Sequence, residues 1–223
     1  MPAPDASLAE VAKAVAECRG CNLYQHATQA VFGHGPARAA VVLIGEQPGD
    51  AEDKAGEPFV GPAGRLLGHA LDEAGIPPAT TYMTNAVKHF RWKPEPHGRK
   101  RRIHQPPEAW QMRACYPWLA AELARLKPDV LVTLGATAGR ALFGSSFRVT
   151  KQRGTEVTWC APGRRDGTER EVTVVPTIHP SAVLRADDRD AVFAGLVADL
   201  KVAAAVLPGS GSVSPARSGS APG

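Results

Sequence analysis

Four cysteines stand in this chain, at Cys18, Cys21, Cys115 and Cys160. The Cys18-Arg-Gly-Cys21 spacing puts two thiolates on one ion, as zinc and iron–sulfur sites both require. No second C-x-x-C pair follows, which disfavours an ordinary zinc ribbon. All four thiolates together match the need of one [4Fe–4S] cluster. No strand leads directly into the pair, which argues against a redox dithiol. The plain alternative is a set of buried, inert cysteines.

Three further stretches carry chemistry. In Gly45-Glu46-Gln47-Pro48-Gly49-Asp50 the glycines make a loop with exposed backbone N–H groups, and a helix starting near Pro62 points its N-terminus at whatever that loop binds. Such an end suits an anion or a phosphate. Phe59, inside a Gly/Pro loop, is either a stacking platform for a base or a core plug. Arg99-Lys100-Arg101-Arg102 runs into Ile103-His104. A basic loop grips DNA phosphates through counterion release. The same cations disfavour a protonated His104, and a neutral imidazole is a nucleophile or a base. The alternative is that His104 is one more phosphate contact. Lastly, Pro180 disfavours helix at His179 and holds that imidazole at a strand end, as a functional group or merely as a cap for the next helix.

Elements must deliver these groups to one place. The apolar runs 39–44, 82–87, 129–134 and 171–177 read as strands, with 155–159 an edge candidate. Helical patterns cover 62–74, 107–126 (bent or interrupted at Pro117), a short stretch to Phe143, and 188–206. Continuous apolar strands separated by helices predict an α/β fold: one domain over 1–206, three layers α/β/α, with a central, mainly parallel four-stranded sheet. Residues 207–223 read as a disordered Gly/Ser/Pro tail. In parallel sheets ligands bind beyond the carboxyl ends of the strands. Glu46, Asn85, Gly135 and His179 each follow or end a strand, so an acid, an amide and an imidazole arrive at one rim.

The 223 residues are 43% hydrophobic and 22% charged, enough apolar material for a core and against disorder throughout. The net charge is +4, but Lys88, Arg91, Lys93 and the four cations 99–102 face only Glu95 across one segment. The rest of the chain is slightly acidic, so the basic character is one patch, fit for a polyanion or simply solvated. No apolar run is long enough to span a membrane and the N-terminus lacks a secretory pattern, so the expected compartment is the cytoplasm.

Taken in order, GEQPG, EPFVGPAGRLL, TNAVK, DVLVTLGATA and HPSAVLR resemble the motifs of the uracil-DNA glycosylase superfamily, in its iron–sulfur family 4 branch. The resemblance runs from Cys18 to Val206. It implies a parallel sheet flanked by helices, a structural [4Fe–4S] cluster and excision of flipped deoxyuridine from DNA. Carried over residue by residue, Glu46 acts on the water or sugar side, Phe59 stacks on uracil and Asn85 reads the uracil edge. Gln47, Gly49 and Asp50 of the first motif lie on the substrate side. His179 steadies the departing uracil anion, while Ser181 and Arg185 contact DNA, as do Lys100, Arg101 and Arg102.

Two departures refine this. Family 4 has a cysteine directly after the TNAVK-type lysine; here it is His89. Cys160 is the candidate for the fourth thiolate, with His89 the alternative ligand. Gln47 stands where family 4 usually has alanine, and the Lys100-Arg101-Arg102-Ile103-His104 string is intact. Both look like uracil-DNA glycosylase X, a bacterial branch in which the loop histidine bonds to the sugar after the base leaves. No long apolar stripe demands a partner, so a monomer is expected, nucleoid-associated while on DNA. It would act once on uracil-containing DNA, preferably single-stranded, releasing uracil and keeping a covalent adduct through His104. A turnover glycosylase using water, and an idle metal-containing DNA-binding module, are the competing readings.

Overall fold

A computed structural model describes residues 5–95, 102–161 and 170–207. The Gly/Ser/Pro tail beyond 207 lies outside the described residues. The strands are β1 (Val41–Gly45), β2 (Thr81–Asn85), β3 (Trp92–Pro94), β4 (Arg102–His104), β5 (Val130–Leu134), β6 (Val157–Ala161) and β7 (Arg170–Thr177). The helices are α1 (Leu8–Ala16), α2 (Asp50–Ala55), α3 (Pro62–Ala74), α4 (Ala109–Leu126), α5 (Gly135–Phe143), α6 (Val149–Gln152), α7 (Pro180–Leu184) and α8 (Arg189–Val206).

The main sheet has five strands in the order β2-β1-β5-β7-β6, not four. The first four are parallel, and β6 adds antiparallel to β7 as an edge. β6 alternates exposed and part-buried positions, as an edge strand with one wet face does. The central strands β1 and β5 are buried at every position. Side chains alternate across them. Val41, Leu43, Val130 and Val132 pack on α3 and α8, while Val42, Ile44 and Leu131 pack on α4. This is the expected three-layer α/β/α arrangement.

α3 begins at Pro62 and stops at the left-handed Gly75, as its sequence predicts. α4 runs unbroken through Pro117. The proline removes one backbone hydrogen bond, but Trp118, Leu119, Leu123 and Leu126 are all buried, and that packing keeps the helix whole. α1 and the small β3–β4 hairpin fall outside the sequence expectation. α1 carried a readable signal: Ser7 and Glu10 cap each other's backbone N–H groups. The chain crosses from β1 to β2 on one side and reaches β5 on the other, so the crevice opens at the carboxyl ends of β1 and β5.

Candidate functional site

The first residue past β1 is Glu46. Its Oε2 accepts a hydrogen bond from the Thr137 hydroxyl in the first turn of α5, and its Oε1 lies 3.4 Å from His104 Nε2. Nε2 is thus the ring nitrogen that faces the carboxylate, the one that would carry the proton of a neutral ring donating to it. The His104 side chain is half exposed. Burial of the rest of the ring lowers its pKa, Glu46 pulls the other way and Arg185 reinforces the drop.

His179 caps α7, with Nδ1 accepting from the Ser181 N–H at 3.2 Å and lying 2.8 Å from its hydroxyl. The neutral ring then carries its proton on Nε2, which has no hydrogen-bond partner among the described residues. Burial pushes its pKa down to about 4, and His104 and Arg185 add to the effect. Gly135, at φ +88°, lets the chain turn into α5 directly beneath His179, whose Cβ would sit 3.1 Å from any Cβ there.

Asn85 and Phe59 meet over Gly45. A Cβ on that glycine would come within 2.3 Å of Asn85 Oδ1 and 2.7 Å of the Phe59 ring, so only glycine leaves the hollow open. Phe59 itself sits at φ +60°, a left-handed conformation unusual for an aromatic residue. Strain of this kind clusters where a ring must be aimed.

His104 reaches the rim because the β3–β4 hairpin is clamped. Trp92 pairs with His104 across it. Gln47, expected on the substrate side and holding either the His104 loop or the sugar, is buried and faces the hairpin. Its Oε1 accepts from Arg91 N at 3.1 Å, and its Nε2 donates to Arg91 O at 3.2 Å and Gln105 O at 3.0 Å. Arg102, expected at DNA phosphates, instead bridges two carboxylates of α2. Its Nε donates to Asp50 and its Nη1 to Asp53 at 2.6 Å. Asp53 is fully buried and also accepts from Thr28 N. The guanidinium lies 5.2 Å over the Phe90 ring and 5.5 Å over Trp92. Arg102 is therefore an anchor, and so is Asp50, whose carboxyl it and Lys54 hold below the usual range although burial opposes them. Lys100 and Arg101 lie outside the described residues.

The glycine loop differs from its expected role as an anion cradle. Glu52 takes the N–H of Gly49 at 3.1 Å and of Gly61 at 2.9 Å. A carboxylate of the chain itself occupies the N-termini of α2 and α3, where the macrodipole favours negative charge.

Three cysteines gather around Val87, just past the end of β2. Cys115 is buried with Val87 and Trp118, and Cys18 and Cys21 pack against the same cluster. Trp118 Nε1 donates to Cys18 Sγ at 3.1 Å and Lys88 N donates to Cys115 Sγ at 3.2 Å. Burial pushes the Cys115 thiol up to about 12 and raises Cys21 as well. Bare thiols in this setting resist ionisation, which a bound cation would reverse. Among the described residues no three Cys, His, Asp or Glu side chains converge tightly enough for a single metal ion. Cys160 is exposed on β6, at the sheet edge opposite β2, roughly 19 Å across at the usual strand spacing. His89, next to Lys88, is 4% exposed, and burial keeps its ring neutral.

Thr137, Asp53 and Glu52 belong to the site yet drew no notice in the sequence. Only Glu52 had a signal, three residues after the helix-starting Gly49. Among the described residues no helix is long and apolar enough to cross a membrane.

The profile of the Uracil DNA glycosylase superfamily matches residues 32–201. The Type-4 uracil-DNA glycosylase of Thermotoga maritima is 38% identical over 176 residues, covering 78% of this chain and 82% of that protein. The protein of the same name from Sulfurisphaera tokodaii is 36% identical over 183 residues, 80% of this chain and 76% of the relative. That of Pyrobaculum aerophilum is 35% identical over 171 residues, 77% and 81% of the two chains.

Proposed function

The chain belongs to the uracil-DNA glycosylase superfamily, and from that premise we propose that it excises uracil from DNA and is then captured on the sugar by His104. The observation that carries the capture is the His104 Nε2 to Glu46 Oε1 approach of 3.4 Å, on a hairpin clamped by Gln47 and Arg102. A mere phosphate contact needs no such clamp and no carboxylate beside it.

The uracil base, flipped out of the stack at a cost of a few kcal/mol, enters the hollow over Gly45. Phe59 stacks on it and the Asn85 amide pairs with its edge. The bond from C1′ to N1 breaks, and its electron pair leaves with uracil as an anion. The Nε2–H of His179 and the Asn85 amide donate to that anion, where charge develops. The sugar becomes an oxocarbenium ion. His104 Nε2 passes its proton to Glu46 and uses the freed lone pair to bond C1′. The tether gives it an effective molarity that water cannot match. Uracil takes up the proton and departs, leaving His104 bonded to the DNA. Each molecule acts once. Unpaired DNA is the preferred substrate because extrusion is easiest there. Ser181 and Arg185, at the start and end of α7, hold the flanking phosphates, joined by Lys100 and Arg101.

Cys18, Cys21 and Cys115 would supply three thiolates to a [4Fe–4S] cluster, which would serve structurally by tying the N-terminal segment to α4. His89 is favoured over Cys160 as the fourth ligand. It follows Lys88, which touches Cys115, whereas Cys160 is across the sheet.

The test is a denaturing gel of the holo protein with a labelled single-stranded oligonucleotide containing one uracil. A band retarded after boiling in detergent, absent with thymine and with His104→Ala, is the expected result. The relatives' name favours a second reading, multiple turnover with water as nucleophile. Its signature is no retarded band but a strand break after alkali.

A further inference from the structure

Beneath the base pocket lies an ion pair that the excision chemistry does not use. Lys88 and Glu122 are both 0% exposed. Lys88 Nζ donates to Glu122 Oε2, to Thr84 Oγ1 at 2.7 Å and to the backbone carbonyl of Asn85 at 2.8 Å, so its three protons are all engaged. Glu122 also accepts from Tyr82 OH at 3.0 Å, from Thr84 Oγ1 and from Gly33 N at 3.1 Å.

Such a pair is poor value as a stability device. Removing two charges from water costs several kcal/mol, and well-packed apolar residues often do as well or better. What the pair holds is more telling. Asn85 is the last residue of β2, and its side chain overhangs Gly45 in the pocket. The ammonium group grips the carbonyl of that same residue and the hydroxyl of the one before it. It thereby holds one side of the peptide that follows the Asn85 Cα, whose other side, Ala86 N–H, donates to Gly45 O at 2.9 Å. Lys88 is itself fixed at its other end, since its N–H donates to Cys115.

We infer that Lys88, held by Glu122, is a positioning residue that aims the Asn85 amide at the base, and so sets recognition of uracil. The inference rests on the uracil reading of the pocket.

The test uses the cluster-loaded protein and the double variant Lys88→Met with Glu122→Gln. The glutamine keeps partners for Tyr82, Thr84 and Gly33, and no charge is left unpaired. Thr84→Val is a milder companion that removes the hydroxyl shared by both charges. Three quantities are read: single-turnover uracil release, inhibition by free uracil, and affinity for a uracil-free single-stranded oligonucleotide. Release should slow and inhibition weaken by roughly tenfold, about what one misaimed hydrogen bond removes. Oligonucleotide affinity should stay within about twofold, a split that general loosening would not produce. Thr84→Val should shift the first two in the same direction by less, and it decides the matter if the double variant does not fold. A folded variant with wild-type release and inhibition overturns the inference, as does a loss of all three together. Absence of uracil release by the wild-type protein sinks the underlying reading instead.

Discussion

Gln47 holds the main chain of Arg91 from both sides, accepting from its N–H at 3.1 Å and donating to its carbonyl at 3.2 Å. The same amide nitrogen reaches Gln105 O at 3.0 Å, so one side chain joins the two ends of the hairpin that bears His104. Gln47→Ala takes this partner from Arg91 N and Gln105 O, while Arg91 O keeps the Gln105 N–H at 2.9 Å. Each such loss costs about 1–3 kcal/mol when buried. The melting temperature should fall by several degrees, at about 2–4 °C per kcal/mol for a chain of this length. Covalent capture, followed by the retarded band over time, should slow more than tenfold because the histidine loses its aim. Capture at the wild-type rate would show that the clamp does not matter.

Acid should stop capture before it unfolds the protein. The proposed attack needs a neutral His104, and burial holds its pKa below the ordinary histidine value. The capture rate should be flat from pH 7 to 8 and should fall only in acid below the ordinary histidine range. A rate that instead rises into acid would exclude a neutral imidazole as the attacking group.

His179 gives the stability curve its own acid slope. Its folded pKa is about 4, below the value of an unfolded histidine. Between those two values the unfolded chain binds a proton that the native ring refuses. The contribution is therefore fully present above pH 6.5 and is lost as pH falls toward 4. Melting temperatures measured across that window should drop more steeply for the wild type than for His179→Gln. Parallel curves would mean that the ring protonates freely in the native state.

The cysteine group makes a sharp prediction about which residues carry iron. Cys18→Ser and His89→Ala should lose the brown iron–sulfur absorbance and most of the bound iron. Cys160→Ser should keep both, since its thiol sits on the edge strand β6. Loss of iron in Cys160→Ser would restore the exposed thiol as the fourth ligand. Quantifying iron per chain in the three variants distinguishes these cases.

Phe59 combines a strained backbone with an aimed ring. Phe59→Gly relieves a left-handed conformation that costs an ordinary residue about 1–2 kcal/mol, which offsets part of the lost packing. Thermal stability should change little, while inhibition by free uracil weakens by about tenfold, the order of one lost base–aromatic stack. An equal loss in Phe59→Gly and Phe59→Ala of both stability and inhibition would mark the ring as a core plug.

Local signals carried the frame of this molecule. The runs at 39–44 and 129–134 read as parallel strands because they are nearly continuous in apolar residues, and Pro62 and Gly75 mark the two ends of α3 by chemistry that acts within one turn. The rim residues Glu46, Asn85 and His179 were legible for the same reason, as each stands where a strand runs out. Hidden from that reading were contacts between groups far apart along the chain. Gln47 reaches across more than forty residues to Arg91, Arg102 returns to Asp50 and Asp53, and Lys88 meets Glu122 between layers. A glutamine, an arginine or a lysine looks alike in sequence whether it faces solvent, a phosphate or a buried partner. Which it faces is decided only when the layers close and desolvation forces each polar group to find its mate. So the sequence determined the sheet, the rim and the chemistry available there. The tertiary structure decided which cations anchor the His104 hairpin, which amide holds it, and which cysteine stands apart.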